Sequence, residues 1–178
     1  MNKMTGVLLI ILWPLAVLAA DDYKVATVIS SESLEAVAAR APEGRVSDQP
    51  VVHVESAEGR LGVGVVHRPV IARGSAIQAI QHHNQSEVYR VMSGVGILVT
   101  STTLSELTPL DPDGYVVTNL TGPSDIGLIT EIENSQRVSA GDIVIIPAGV
   151  AHGFSEISEP ITYMVVRVDP ERLVKLKE

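Results

Sequence analysis

The side chains best suited to chemistry in this sequence are three histidines and one glutamate close to turn-forming glycines: His82, His83, Glu87 and His152. If tight turns place the ends of neighbouring strands side by side, the imidazole and carboxylate groups converge inside a barrel. Neutral imidazole and carboxylate together suit divalent Mn, Fe, Ni, Cu or Zn. We therefore predict a site for a divalent metal ion formed by Glu87, His152 and one of His82 or His83.

Two motifs of turn residues surround these candidates. The longer motif is a glycine, a proline, a glycine and a histidine separated by five, one and two residues: Gly141, Pro147, Gly149 and His152. In the shorter motif, Glu87 is followed by six residues and then Gly94. With both motifs in this order, the chain resembles the cupin family of small β-barrels. The resemblance implies a double-stranded β-helix, or jelly roll, in which Glu87 and His152 hold a metal ion.

One histidine of the family pattern is missing. Cupins usually carry His-x-His three or four residues before the glutamate, whereas this chain has Gln81-x-His83 at the first spacing and Ile80-x-His82 at the second. Adjacent residues of an extended strand point to opposite faces, so only one of the two histidines is expected to join the site. Gln81 could add a weaker oxygen ligand if His83 faces inward. The resulting set of two histidines and one carboxylate is known from iron sites with open positions. The alternative is a degraded site that holds metal poorly or not at all.

Four further side chains are candidates to line the pocket: Tyr89, Phe154, Tyr163 and Arg167. Tyr89 lies two residues after Glu87 and therefore shares its strand face. Arg167 could pair with a carboxylate substrate, but near a strand end we expect it to point outward. His53 and His67 lie in early strands, away from both motifs, and are interpreted as structural.

The elements that must position these residues are short strands. Eight runs rich in Val, Ile and Leu are separated by Gly and Pro turns: 51–55, 61–70, 75–83, 88–92, 96–102, 126–132, 142–146 and 161–168. This pattern favours an all-β sandwich or barrel. A short helix is predicted over 33–40, with Ser31 or Ser33 as its N-cap. Residues 103–125, rich in Pro and Gly, are predicted to form an inserted surface loop.

The N-terminus has the pattern of a secretory signal peptide. Lys3 precedes an apolar run over 7–18, and Ala19-Ala20 supplies small residues for cleavage. A run of this length is too short to span a bilayer, which needs about 20 apolar residues. We therefore predict a cleaved signal peptide over 1–20 and a periplasmic or secreted protein. The remaining chain divides into three predicted segments: an N-terminal extension over 21–48, the barrel over 49–170 and a C-terminal tail over 171–178.

Composition excludes several classes of function. The 178-residue chain contains no cysteine, which removes disulfides, thiolate zinc sites and iron–sulfur clusters. Its 13 Lys and Arg face 21 Asp and Glu, a formal net charge of −8 that argues against nucleic-acid binding.

Together these features predict an exported single-domain cupin that binds a divalent metal ion and a small-molecule ligand or substrate. As an enzyme it would be an oxygenase, isomerase or lyase, and no general base is identifiable. The alternative is a non-catalytic ligand-binding or structural cupin with a degraded metal site. We also predict a homodimer, because exposed sheet edges can pair between chains. No contact with membranes is expected once the signal peptide is removed.

Overall fold

The computed structural model describes residues 25–175, so the predicted signal peptide lies outside the described residues. Within this range the chain forms one α-helix, α1 (Ser31–Ala38), and a short π-helix (Val117–Thr121). The rest is dominated by nine strands: β1 (Ser47–Ser56), β2 (Gly59–Arg68), β3 (Gln78–His82), β4 (Ser86–Ser101), β5 (Ser105–Pro109), β6 (Ser124–Leu128), β7 (Asn134–Ser139), β8 (Ile143–Ile146) and β9 (Ala151–Asp169).

The two long strands, β4 and β9, pair with each other along most of their length and take part in two sheets. In the first sheet, the first half of β4 pairs with β8 and the second half of β9 pairs with β2. Strand β1 extends this sheet beyond β2. In the second sheet, the second half of β4 pairs with β7 and the start of β9 pairs with β3. Strand β6 then pairs with β3, and β5 pairs with β6. All of these pairings are antiparallel. The predicted all-β, jelly-roll class of fold is therefore confirmed.

The strands over 88–92 and 96–102 were predicted as separate elements, and this prediction is wrong. They belong to the single strand β4, whose register with β9 shifts four times between Val91 and Leu98. Gly94 lies within this bulged region at φ +85°, where a Cβ would collide with the carbonyl oxygen of Pro160. Gly94 therefore allows β4 to bend from one sheet into the other rather than ending a strand.

The main core fills the space between the two sheets. It combines side chains of the first sheet, such as Val66 and Val165, with Leu98 and Ile157 of the second. A smaller cluster that includes Val99 packs on the outer face of the second sheet, because consecutive residues of β4 point in opposite directions.

The predicted loop over 103–125 contains more structure than expected. It includes β5 and the π-helix, and β5 pairs with β6 beside β3. The strand β7 lies in a segment with few apolar residues and was not predicted at all. Most of β7 is exposed to solvent, with only Val138 buried, so its sequence shows little of the alternation that marks a half-buried strand.

The helix α1 is confirmed in kind but begins earlier than predicted. Its N-cap is Ser30, whose hydroxyl accepts a hydrogen bond from the backbone N–H of Ser33 at 3.1 Å. Neither predicted cap, Ser31 nor Ser33, takes that position. Among residues 25–175, no helix is both long enough and apolar enough to cross a membrane.

Candidate metal centre

Three side chains from three different strands meet inside the barrel. His82 is the last residue of β3, Glu87 the second of β4 and His152 the second of β9. One potential ligand atom from each lies within 4.8 Å of the others, and all three residues are buried. The short turn between β3 and β4 brings His82 and Glu87 together, whereas His152 arrives through the pairing of β9 with β3.

The structure distinguishes the two adjacent histidines. His82 faces inward, while His83 follows the end of β3 with its side chain 45% exposed and its Nε2 2.9 Å from Asp125 Oδ2. Gln81 also points away from the cluster, and its side-chain amide donates to the carbonyl oxygen of Gly149 at 2.7 Å. The predicted ligands His83 and Gln81 therefore lie outside the group, because residues on either side of His82 take the opposite face.

The inward position of His82 shows which residue occupies the place of the missing histidine. Ile80 precedes His82 by two residues on the same face of β3, and it lies directly opposite His152 on β9. The protein thus presents two imidazoles and one carboxylate where the family pattern has three imidazoles and one carboxylate.

The tautomer of His152 follows from its second ring nitrogen. Nδ1 lies 3.0 Å from the carbonyl oxygen of Val150. A carbonyl oxygen can only accept, so Nδ1 carries a proton, and as a metal ligand the ring would present the lone pair of Nε2. This Nε2 is buried and has no hydrogen-bond partner among the described residues. It lies 3.2 Å from Glu87 Oε2.

His82 has the same tautomer for a similar reason. Its Nδ1 lies 2.8 Å from Ser124 Oγ, directly across the β3–β6 pair. The Ser124 hydroxyl donates its proton to a carbonyl oxygen, that of Gly122 at 3.0 Å, and so accepts from His82 Nδ1–H. The lone pair on His82 Nε2 then faces Glu87 Oε2 at 3.4 Å.

Three electron-pair donors therefore converge on one point, and only a proton or a cation between them makes this favourable. Burial lowers the pKa of His82, although the neighbouring Glu87 carboxylate acts in the opposite direction. The lowered pKa disfavours a second proton on the His82 ring. Ligand bonds of about 2.1 Å would separate neighbouring donors by about 3.0 Å in an octahedron and about 3.4 Å in a tetrahedron. Glu87 Oε2 lies 3.2 Å from His152 Nε2 and 3.4 Å from His82 Nε2, in agreement with these separations. The donor set therefore fits a divalent metal ion.

Glu87, 1% exposed, makes two further hydrogen bonds besides its contacts with the histidines. Arg167 Nε donates to Oε1 at 2.7 Å, and Tyr89 Oη donates to Oε2 at 2.6 Å. Burial alone would raise the pKa of the Glu87 carboxyl, but Arg167 and the histidines outweigh it and hold this pKa well below its usual value. Glu87 is therefore an ionised carboxylate at neutral pH.

The expectation that Arg167 points outward is wrong. Arg167 lies directly opposite Glu87 in the β4–β9 pair, and its guanidinium bridges Glu87 to Asp48 of β1. Asp48 accepts two hydrogen bonds from Arg167, at 2.6 and 3.2 Å. The sequence around Arg167 is apolar on both strand faces, so alternation could not reveal its direction. Asp48 and Ser124 carried no sequence signal, because their roles depend on strand pairing.

The other predicted pocket residues do face the interior. Tyr89 stacks on Tyr163 with ring centroids 4.3 Å apart, and Phe154 lies 6.4 Å from Tyr163. His67 contacts Thr162 Oγ1 through Nδ1 at 3.0 Å, in keeping with a structural role. Neither His67 nor His53 belongs to the His82–Glu87–His152 group.

A cavity of about 440 Å³ is lined in part by His152. Its walls include the apolar side chains of Ile80 and Ile126, from β3 and β6. Polar side chains also line it: Arg68, Gln78, Glu106 and Thr108. This volume suits a small molecule. The cavity therefore adjoins one of the three candidate ligands, His152.

Comparison with known proteins finds solved structures of low sequence identity. A protein from Bacillus halodurans is 14% identical, with 88% of this chain and 92% of that chain covered and a TM-score of 0.46. An uncharacterised conserved protein with a double-stranded β-helix domain from Klebsiella pneumoniae is 19% identical, with coverages of 86% and 98% and a TM-score of 0.45. The cupin domain of Schizosaccharomyces pombe Cnp3 is 10% identical, with coverages of 74% and 71% and a TM-score of 0.45. No family model matches the sequence, and no curated protein is significantly similar to it.

The chain's own geometry defines its class. Two facing sheets share long bent strands, the two motifs lie at the bend of β4 and at the turns on either side of β8, and a buried His-Glu-His group lies between the sheets. These features make the chain a cupin-like β-barrel with a candidate metal centre. The predicted resemblance is confirmed at the level of fold.

Proposed function

We propose that this protein binds one divalent metal ion through His82 Nε2, His152 Nε2 and the Glu87 carboxylate, and that the ion acts on a small polar molecule in the adjoining cavity. The observation that carries the proposal is the buried, unpartnered Nε2 of His152, which faces a carboxylate oxygen. Three protein donors leave coordination positions for another molecule.

The chain's own residues would prepare the site before a ligand arrives. Val150 and Ser124 fix the ring orientations of His152 and His82 through their Nδ1 atoms, which keeps both Nε2 lone pairs directed at one point. Arg167 holds the Glu87 carboxylate from its other oxygen. A bound divalent ion supplies Lewis-acid polarisation of an oxygen-bearing ligand, or redox chemistry if the ion is iron. An oxygenase, an isomerase and a lyase all remain within this proposal.

A second candidate function is binding of a small ligand without metal or turnover. One observation favours it: Arg167 and Tyr89 already donate hydrogen bonds to both Glu87 oxygens, so the carboxylate is satisfied by protein groups. The position of Ile80 in place of a histidine points the same way.

Export to the periplasm or the medium is part of the proposal and is supported by the apolar run over 7–18. The homodimer likewise stays a prediction that rests on sheet edges such as β1 and β8. Sedimentation of the exported protein measures its oligomeric state.

The test is metal content and affinity. The full chain is produced with its export signal, purified without chelators or a histidine tag, and measured by mass spectrometry of metals and by calorimetric titration of the stripped protein. We expect about one ion per chain. Loss of a group that hydrogen-bonds a metal ligand costs about 10–100-fold in metal affinity. Loss of a ligand itself, in His152→Ala or Glu87→Gln, should therefore lower the metal affinity by more than about 100-fold.

The matched control is His83→Ala, which removes the exposed neighbouring imidazole and should leave metal content unchanged. Circular dichroism establishes that each variant is folded. A parent protein that holds no metal even after Mn, Fe, Ni, Cu and Zn are added back contradicts the proposal and favours the metal-free alternative. Equal losses in His83→Ala and His152→Ala contradict the assigned ligands.

A further inference from the structure

The cavity beside His152 carries a positively charged group that the candidate metal centre does not use. We infer that Arg68 is an anion-binding residue, and that the ligand of this cavity is a small organic carboxylate whose anionic group pairs with Arg68. This inference deepens the proposed function by naming a ligand class, and its carboxylate-binding part can be tested without metal.

Arg68 is held in place by aromatic side chains. Its Nε donates to the hydroxyl of Tyr163 at 3.0 Å, and its guanidinium carbon lies 5.7 Å from the centre of the Phe154 ring. Tyr163 stacks on Tyr89, whose ring lies 6.2 Å from that of His152. A continuous layer of rings therefore sets the guanidinium and the candidate metal centre in fixed relation within one barrel.

The charge of Arg68 has no carboxylate directly against it in the described part of the chain. The buried Arg167, by contrast, contacts both Asp48 and Glu87. The only carboxylate that lines the cavity with Arg68 is Glu106, an exposed residue that forms no ion pair with it. The Tyr163 contact uses one of the five N–H donors of the guanidinium, which leaves the planar fork available for a carboxylate.

The overall charge of the barrel interior also favours an anion once a metal ion is present. Without metal, the charges of Arg68 and Arg167 are balanced by those of Glu87 and Asp48. A divalent ion with neutral histidines adds two positive charges in a buried space. A carboxylate ligand would offset that excess, whereas a neutral ligand would leave it uncompensated.

The remaining walls indicate the chemical character of the ligand. Ile80 and Ile126 are apolar, while Gln78 and Thr108 offer hydrogen bonds. A cavity of about 440 Å³ accommodates a molecule of a few carbon atoms with one hydroxyl or carbonyl group. The inferred ligand class is therefore a short hydroxy or oxo acid.

The probes are lactate and its neutral counterpart lactamide, which differ only in the carboxylate. Binding to the metal-stripped full chain is followed by backbone amide shifts in NMR titrations, since affinities in the millimolar range are expected. We expect lactate to bind at least tenfold more tightly than lactamide, with the largest shifts at β3 and β6. Arg68→Met, which keeps the apolar stem, should remove this tenfold preference, whereas Arg68→Lys should retain part of it.

The matched control is Arg73→Met, because Arg73 is an exposed arginine paired with Glu156 outside the cavity. It should bind lactate as the parent does. Thermal unfolding and the amide spectrum show whether Arg68→Met is folded. If Arg68→Met does not fold, the lactate preference of Arg68→Lys tests the role of Arg68 instead. Equal binding of lactate and lactamide, no binding of lactate, or an unchanged preference in both Arg68 variants would overturn the inference.

The same titration is repeated with protein loaded with Zn²⁺, so that the two proposals fail separately. Metal binding without a preference for lactate contradicts the carboxylate inference and still supports the metal centre. A lactate preference that depends on Arg68 in protein unable to bind metal supports the inference and removes the proposed metal function.

Discussion

Arg167 decides the electrostatics of the candidate site at the scale of single residues. It lies between Glu87 and Asp48, so one buried cation serves two carboxylates from different strands. Such a bridge stabilises the fold only while every member is present, because an unpaired buried charge is costly. The same bridge also keeps Glu87 ionised and correctly oriented when no metal is bound.

Arg167→Met is expected to lower the free energy of unfolding of the metal-free protein by about 3 kcal/mol, since breaking a buried ion pair costs roughly this much. A bound divalent ion partly replaces the lost positive charge beside Glu87, so the loss should be smaller with metal. Urea unfolding with and without Zn²⁺ measures both values. Arg73→Met, which breaks an exposed pair, should cost less than about 1 kcal/mol. If both variants cost the same, the bridge has no special role.

At the scale of elements, the long strands β4 and β9 build both sheets and carry most of the site. Glu87 and Arg167 face each other in one half of this pair, while His152 lies at the other end of β9. The bend around Gly94 allows a single pair of strands to contribute to both sheets. A straight pair would form one continuous sheet and could not enclose the cavity.

Gly94→Ala tests this bend. The added methyl group meets the carbonyl oxygen of Pro160 at a positive φ, so it adds an overpacking cost to the backbone strain. Gly141→Ala is the matched control, because Gly141 has φ +94° but no atom within 4 Å of a Cβ. We expect about 1 kcal/mol of destabilisation for Gly141→Ala and a further 1–3 kcal/mol, roughly, for Gly94→Ala. Equal values in chemical denaturation would show that the contact with Pro160 is unimportant.

At the scale of the whole molecule, the buried titratable groups link folding to pH. Burial lowers the pKa of His82 in the folded chain from 6.5, and the surroundings of Glu87 hold its pKa well below 4.5. In both cases the unfolded chain binds a proton more readily than the folded chain. Both groups therefore contribute stability at neutral pH that is lost as the pH falls, His82 from about 6.5 downward and Glu87 below about 4.5.

The metal-free protein should accordingly lose stability between pH 7.5 and 5.5, with a slope of at most about 1.4 kcal/mol per pH unit for one proton. His82→Gln should reduce this slope, because glutamine does not titrate. Urea unfolding across this range is the measurement, and a parent protein that becomes more stable on acidification would contradict the assignment.

Much of the architecture could be predicted from local pattern alone. Alternating apolar runs and Gly or Pro turns indicated a β-barrel, and motif spacing selected Glu87 and His152 as members of the group now seen inside it. The adjacency of His82 and His83 also implied that only one faces inward. These features depend on residues close in sequence, so periodicity and turn chemistry are sufficient to reveal them.

What only the tertiary structure decided is which side chains meet across strands. The direction of Arg167, the bridge to Asp48, the contact of His82 with Ser124 and the place of Arg68 in the cavity all depend on strand register. Register is set by the packing of the whole barrel, and a shift of one residue would turn every side chain of a strand to the other face. Local sequence therefore determined the candidate ligands, while long-range pairing determined the charges and hydrogen bonds that surround them.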